Sequence, residues 1–311
     1  MEFIRGLQNI RPQHSGCVLT IGKFDGVHKG HQAVLVNVKD KARELQLPAT
    51  VMVFEPQPEE VFTPQVAPAR LSPLREKYLL LKEQGVDRLL AVKFNREFAS
   101  QSADEFVHHL LVDRLGVKFL VVGDDFRFGK GREGDFAMLV EAGKKYGFEV
   151  VSTQSFRMDD CRISSTAIRE ALDSGLFERA EEMLGRPFSI RGRVVHGEKK
   201  GRTIGFPTAN VLLKRCRAPI NGVFAVKVSV AGKMYDGVAN VGTRPTVNGE
   251  RNQLEVHLFE FDESIYGQSI DVFPLKKLRN EVKFDSFDDL KQQIQKDAQD
   301  ARLFLRARTS L

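Results

Sequence analysis

Short apolar runs alternate with amphipathic stretches over residues 1–185 of the chain. Five runs are strand candidates: Cys17–Gly22, Thr50–Phe54, Arg88–Phe94, Phe119–Gly123 and Phe148–Ser152. They are rich in Val, Leu and Ile and do not alternate, which predicts parallel strands buried on both faces. Between them, His31–Gln46, Leu74–Gln84, Ala103–Leu115 and Asp135–Tyr146 read as helices with one apolar side. This alternation predicts a doubly wound, Rossmann-like α/β sheet, whose ligands sit beyond the carboxyl ends of the strands. A further helix is expected over Ser165–Leu184, stopped by Gly185 and Pro187.

From Phe188 the pattern turns to β. The expected strands are Phe188–His196, Thr208–Leu213, Val223–Val230, Lys233–Asn240, Gln253–Phe259 and Ser269–Pro274. Turns at Asn221-Gly222, Asn248-Gly249 and Tyr266-Gly267 punctuate them. Short strands at this spacing predict a small antiparallel barrel, and a polar-amphipathic helix over Phe287–Leu305 closes the chain. Two domains are therefore expected, 1–185 and 186–311.

Composition narrows the class. With 42% hydrophobic and 28% charged residues, the 311-residue chain has the profile of a soluble globular protein. No apolar run approaches the ~18 residues of a membrane span, and Met1–Gly16 lacks the apolar core of an export signal. Cys17, Cys161 and Cys216 lie far apart without metal-ligand spacing, which predicts free thiols in a reducing, cytoplasmic setting. The net charge of +6 favours polyanionic partners. Residues 191–217 concentrate it, with eight Lys/Arg against one acid, Glu198. That run is either a solvated basic face or a phosphate cradle.

The chemistry-bearing residues fall in the expected loops. After the first strand comes Gly22-Lys23-Phe24-Asp25-Gly26-Val27-His28-Lys29-Gly30-His31, leading straight into a helix. Gly22, Gly26 and Gly30 let backbone approach a ligand, and a helix N-terminus offers open N–H groups and positive potential to phosphate. His28 and His31, three apart at that end, can both point at one phosphate chain and stabilise charge developing on it. A second helix opening, Ile163-Ser164-Ser165-Thr166-Ala167-Ile168-Arg169, carries ordinary capping hydroxyls and a guanidinium one turn inside. In the basic run, Gly192, Gly197, Gly201 and Gly205 interleave with Arg193, Lys199, Lys200 and Arg202 ahead of Phe206-Pro207-Thr208-Ala209-Asn210. Glycine-rich backbone with positive charge suits a phosphate chain, although neither a Walker loop nor a Rossmann fingerprint is present. On the strand Leu254–Phe259, alternation puts Glu255 and His257 on one face. A carboxylate facing the barrel interior would be costly unless used.

These motifs resemble the prokaryotic bifunctional riboflavin kinase/FMN adenylyltransferases, or FAD synthetases, and they span the chain in that family's order from Gly22 to about Asp285. The resemblance implies FMN adenylyltransferase activity in the first domain and riboflavin kinase activity in the second, with riboflavin, FMN and ATP as partners. It implies nucleotide contacts from Gly22, Phe24, Asp25, Gly26, His28, His31, Ser164, Ser165, Thr166 and Arg169. It further implies flavin contacts from Pro56, Pro58, Asp125, Phe126, Phe128 and Arg244. The loop Phe54-Glu55-Pro56-Gln57-Pro58 departs from the family's usual His at its fourth position, where Gln57 stands. In the kinase half, Gly197, Lys200, Gly201, Gly205, Pro207, Thr208 and Asn210 are implied to hold ATP, Thr208 and Asn210 to hold Mg²⁺, and Glu255 to act as general base. Neither nucleic acid nor membrane is expected as a partner. Another nucleotidyltransferase, a flavin sensor or an RNA-binding barrel remain alternatives. The first leaves the barrel motif unexplained, the second has no use for His28, His31 and Glu255 together, and the third finds few nearby aromatics and no RNP or KH signature.

Overall fold

The computed structural model describes residues 1–153, 157–158, 161–196, 206–213, 217–246 and 249–309. By packing, the chain divides into two compact units: residues 1–68 with 72–164, and residues 69–71 with 165–311.

The first unit is built on a sheet of six parallel strands: β1 (Glu2–Arg5), β2 (Cys17–Ile21), β3 (Ala49–Glu55), β4 (Arg88–Lys93), β5 (Val117–Gly123) and β6 (Glu149–Thr153). Their order is β1-β4-β3-β2-β5-β6. The apolar runs behave as expected, because β2 is buried along its whole length and β3 over its first five residues. The edge strand β1 was not expected: Glu2–Arg5 is short, and Phe3 is left exposed. The crossovers are α1 (Lys29–Leu45), α2 (Pro58–Phe62) with α3 (Leu74–Glu83), α4 (Ala103–Glu105) and α5 (Phe136–Tyr146). The expected helix over Ala103–Leu115 is α-helical for one turn only and continues over Phe106–Arg114 as a π-helix. A two-stranded ribbon, β7 (Arg157–Met158) and β8 (Cys161–Arg162), completes this unit.

From β2 the chain crosses to β3 on one side, while β5 lies on the other. The carboxyl end of β2 is therefore the switch point of the sheet, where neighbouring crossovers part and leave a crevice. The loops after β2, β3 and β5 all leave from this edge. They are the segments carrying Gly22–His31, Pro56–Pro58 and Asp125–Phe128.

The second unit opens with two helices where one was expected: α6 (Ser165–Asp173) and α7 (Phe177–Leu184). Gly175, at φ +75°, turns the chain between them, with Leu176 N–H donating to the Ala171 carbonyl. Six antiparallel strands then close a barrel in the order β10-β13-β12-β11-β14-β9. They are β9 (Ile190–Val195), β10 (Ala209–Leu212), β11 (Gly222–Val230), β12 (Lys233–Thr246), β13 (Gly249–Leu258) and β14 (Ser269–Arg279). The interior is apolar: Val211, Phe224, Val226, Ala239, Val241, Leu254 and Val256 are all buried. The outer face beside Val223, Ala225 and Val238 is covered by Ala298, Ala301 and Leu305 of α8 (Phe287–Thr309). Among the described residues, no helix is long and apolar enough to cross a membrane.

Phe224 has no exposed surface and meets Phe177 edge to face at 5.8 Å. Phe224→Ala opens a cavity in the barrel and is expected to cost about 3–5 kcal/mol, read as a lowered urea midpoint for the second unit.

Candidate active sites

The turn between β2 and α1 holds a backbone that its residues would not adopt alone. Phe24 and Val27 have φ of 46° and 42°, a left-handed conformation costly for bulky residues and most of all for a β-branched one. Burial holds them there: both side chains pack into a core cluster with Val51, Val53 and Leu81. Between them Asp25 has no exposed surface. Its carboxylate accepts from Ser72 N–H at 3.0 Å, and the Ser72 hydroxyl accepts from Gly26 N–H at 2.8 Å. Asp25, expected at the nucleotide, thus faces the scaffold of the loop, and Ser72, absent from the sequence expectation, is its partner.

His28 occupies the N-cap of α1, a position more often filled by Ser, Thr, Asp or Asn. Its Nδ1 accepts from His31 N–H at 3.3 Å, which leaves Nε2 to carry the proton of the neutral ring. The two imidazoles stack at 3.7 Å, and Phe24 packs against His31 at 4.8 Å. Gly30 is needed for this approach, because a Cβ there would lie 3.2 Å from the His28 ring and 3.6 Å from the Ile163 carbonyl. The same contact brings the backbone just before Ser164 to the helix mouth. Burial pushes the His31 pKa well below its ordinary value, helped by the nearby His28 and by the buried Lys77 of α3. The ring is neutral at physiological pH, and its buried Nδ1 has no hydrogen-bond partner among the described residues.

The loop after β3 starts at the cis Glu55–Pro56 bond. Gln57 is buried, and its Nε2 has no partner among the described residues. Its backbone N–H donates to Glu60 at 2.8 Å, and Lys23 pairs with Glu59. In the loop after β5, Phe128 is a core residue against Phe106, while Phe126 is half-buried and stacks on Phe128 at 5.7 Å. Asp125 is exposed.

Ser164 ends the first unit; Ser165, Thr166 and Arg169 lie on α6, at the start of the second. There Arg169 Nε donates to the Ala69 carbonyl. Burial pushes the free Cys17 thiol up to about 12, too high for a nucleophile at neutral pH.

On the barrel, register brings three expected residues and two unexpected ones together. Glu255 of β13 stands directly across from Asn210 on one side and from Asn240 of β12 on the other. Gln253, two residues before Glu255 and so on the same face, donates to Asn210 Oδ1 at 2.7 Å and to Glu255 Oε1 at 2.6 Å. His257 Nδ1 lies 2.8 Å from the Pro207 carbonyl, tying β13 to the segment Pro207–Asn210. Its pKa is lowered, first by burial. The pairing of Glu255 with His257 on one face holds, but that face is not the barrel interior. Leu254, Val256 and Leu258 fill the interior, and Glu255 lies on the outer face at the border of the apolar cluster under α8. The reason is that β12 and β13 turn their alternate apolar residues inward together. Gly197, Lys200, Gly201 and Gly205 lie outside the described residues, as does the side chain of Arg244.

Comparison with known proteins covers both units. Residues 10–167 match the family model described as FAD synthetase, and residues 184–305 the one described as riboflavin kinase. Proteins called bifunctional riboflavin kinase/FMN adenylyltransferase are similar over almost the full length. The Haemophilus influenzae protein is 54% identical over 98% of this chain and 99% of its own. The Escherichia coli protein is 55% identical over 98% of each, and the Pseudomonas fluorescens protein 50% over 97% of each. A crystal structure described as a macrolide-efflux protein from Streptococcus pneumoniae is 34% identical, with a TM-score of 0.76 over 96% of this chain and 97% of its own.

Two outcomes follow from the first site. Ser72→Ala strips a buried N–H of its acceptor, a loss of about 1–3 kcal/mol; FAD formation is expected to fall at least tenfold while FMN formation is unchanged, read by product chromatography. Folding depresses the His31 pKa, so below about 6.5 the unfolded chain binds the proton that the native chain refuses. The corresponding stability is complete above that pH and is lost as pH falls toward the lowered native value. The melting temperature is therefore expected to drop less on acidification in His31→Asn than in wild type.

Proposed function

The chain belongs to the family of bifunctional riboflavin kinase/FMN adenylyltransferases, and we propose that it divides the two reactions along its length. Residues 1–185 adenylylate FMN to FAD, and residues 186–311 phosphorylate riboflavin to FMN. The functional boundary stays at 185/186 although α6 and α7 pack with the second unit, because the hydroxyls and guanidinium at the start of α6 serve the adenylyl transfer. The observation that supports this reading is two unlike polar clusters in one chain, each with the chemistry to meet a polyphosphate. One is a strained helix mouth with stacked imidazoles, and the other a row of oxygen-bearing side chains on a barrel.

In the kinase reaction Glu255 takes the proton of the riboflavin 5′-hydroxyl, whose oxygen attacks the γ-phosphorus of ATP while ADP leaves. Gln253 supports this by fixing Glu255 and Asn210 in one arrangement. The Thr208 hydroxyl and Asn210 carboxamide are hard oxygen donors, few enough to suit an ion that keeps waters and shares substrate phosphates, so they fit Mg²⁺. That ion, when bound, neutralises phosphate charge. Gly197, Lys200, Gly201, Gly205 and Pro207, in the glycine-rich basic run, are the residues assigned to the ATP phosphates.

In the adenylyltransferase reaction the FMN phosphate attacks the α-phosphorus of a second ATP and pyrophosphate leaves. The attacking oxygen is already anionic, so no base is required. The open N–H groups of α1, the His28 and His31 rings, and Ser164, Ser165, Thr166 and Arg169 meet the charge that develops on phosphorus. Because His31 is neutral, it acts by hydrogen bonding and not as a cation. Gly22, Phe24 and Gly26 shape the turn, and Asp25 holds it open from beneath. Pro56, Pro58, Asp125 and Phe126 would contact the flavin, with Phe128 behind Phe126, and Arg244 is assigned to the flavin of the kinase half. A cytoplasmic location agrees with ATP as co-substrate and with the free Cys17 thiol.

Given riboflavin and Mg-ATP, the protein is expected to yield FMN and then FAD on chromatography; absence of either product refutes the corresponding half. His31→Ala is expected to slow FAD formation at least a hundredfold and to spare FMN formation. Glu255→Gln is expected to do the reverse, and a normal kinase rate in it would remove Glu255 from the mechanism.

A further inference from the structure

Asn240 sits on the outer face of β12, directly opposite Glu255 and one strand beyond Asn210. Three polar side chains thus form one row across β10, β13 and β12, at the border of the apolar cluster under α8. Side chains so paired have Cβ atoms about 4.5–5.5 Å apart, so the row can be spanned by one small group.

The Asn240 carboxamide is held by one end. Its Nδ2 lies 3.5 Å from Glu281 Oε1, and Asn221 Nδ2 lies 3.3 Å from the other oxygen of the same carboxylate. Glu281 reaches that position because Gly242 has no side chain: a Cβ there would stand 1.8 Å from its Oε1. A carboxylate accepts and does not donate, so it selects the NH₂ end of the amide. The Oδ1 end is left buried without a hydrogen-bond partner among the described residues. An unfilled buried acceptor costs about 1–3 kcal/mol. Glu255, whose Oε1 accepts from Gln253, is paired with Asn240 across the strands, so a chain of vicinal hydroxyls that reaches Glu255 also passes the unfilled Asn240 acceptor.

We propose that Asn240 is a substrate-orienting residue of the kinase site, its Oδ1 accepting a hydrogen bond from a secondary hydroxyl of the ribityl chain. This rests on the reading of Glu255 as the base. The nucleophilic hydroxyl has a single proton, and that proton goes to Glu255, so Asn240 must take its hydrogen bond from a different hydroxyl. The vicinal 4′-hydroxyl is the neighbour within reach. Holding it fixes the last torsion of the chain and presents the 5′-oxygen to phosphorus. Glu281 and Gly242 act through Asn240 as positioning residues.

The test compares riboflavin with 4′-deoxyriboflavin as substrates of the full chain. In Asn240→Ala, kcat/KM for riboflavin is expected to fall about tenfold to a hundredfold, the size of one buried hydrogen bond. The KM for ATP should stay unchanged, as should FAD formation from supplied FMN. Wild type should lose a similar factor with the deoxy substrate, and Asn240→Ala should lose nothing further with it. Independent, multiplying losses would overturn the proposal, and so would an unchanged rate for Asn240→Ala, which would mean that water fills the acceptor. Should that variant fail to fold, Glu281→Ala, at an exposed position, is expected to show a smaller loss confined to riboflavin; no loss overturns the proposal. Glu255→Gln separates the two readings. If it retains kinase rate, the base assignment fails; if it is inactive while Asn240→Ala is normal, only the role of Asn240 fails.

Discussion

A carboxylate without exposed surface, Asp25, governs the first site. It is held by Ser72, whose hydroxyl in turn receives the Gly26 N–H. That arrangement keeps the turn after β2 in a conformation that Phe24 and Val27 would otherwise avoid. The left-handed residues are tolerated because their side chains are core residues. The strain and the burial are coupled: apolar packing beneath the sheet edge stabilises a turn that leads straight into the N-terminus of α1. His28 as N-cap, and its stacking on His31, are possible only with the turn in that shape. The depressed His31 pKa is a consequence of the same enclosure.

The barrel solves a related problem by register. Two strands that turn their apolar residues inward in phase leave an outer face on which Asn210, Glu255 and Asn240 align. Helix α8 covers the apolar part of that face, and the polar row lies at its border. Gln253 and His257 take no part in the chemistry proposed. They hold Asn210, Glu255 and the Pro207 carbonyl in place. In both units the candidate side chains stand on regular elements or at their ends, and their supports come from the next residue on the same face or from a distant loop.

Residues around both sites carry polar atoms that lack a protein partner among the described residues: His31 Nδ1, Gln57 Nε2, Glu59 Oε2 and Asn240 Oδ1. Such groups are uncommon inside proteins and point to ligand positions. Gln57 offers a neutral amide donor whose hydrogen bonding does not vary with pH.

Much of this was readable in the amino-acid order. Continuous Val/Leu/Ile runs placed the central parallel strands within a residue or two, because burial on both faces leaves no room for alternation. Gly22–His31 marked a turn from strand to helix, which is where the structure puts its glycines and histidines. Gly175 could have been read as a break between α6 and α7, since Ser174-Gly175 is a turn dipeptide. Tertiary structure alone decided the rest. The inward face of β13 depends on which residues of β12 and β10 lie beside it, a matter of register between strands far apart in sequence. Ser72 reaches Asp25 from 47 positions away, and Gly242 admits a carboxylate from Glu281. Periodicity reports only on neighbours along the chain, whereas these contacts join residues that only the closed barrel and the wound sheet bring together.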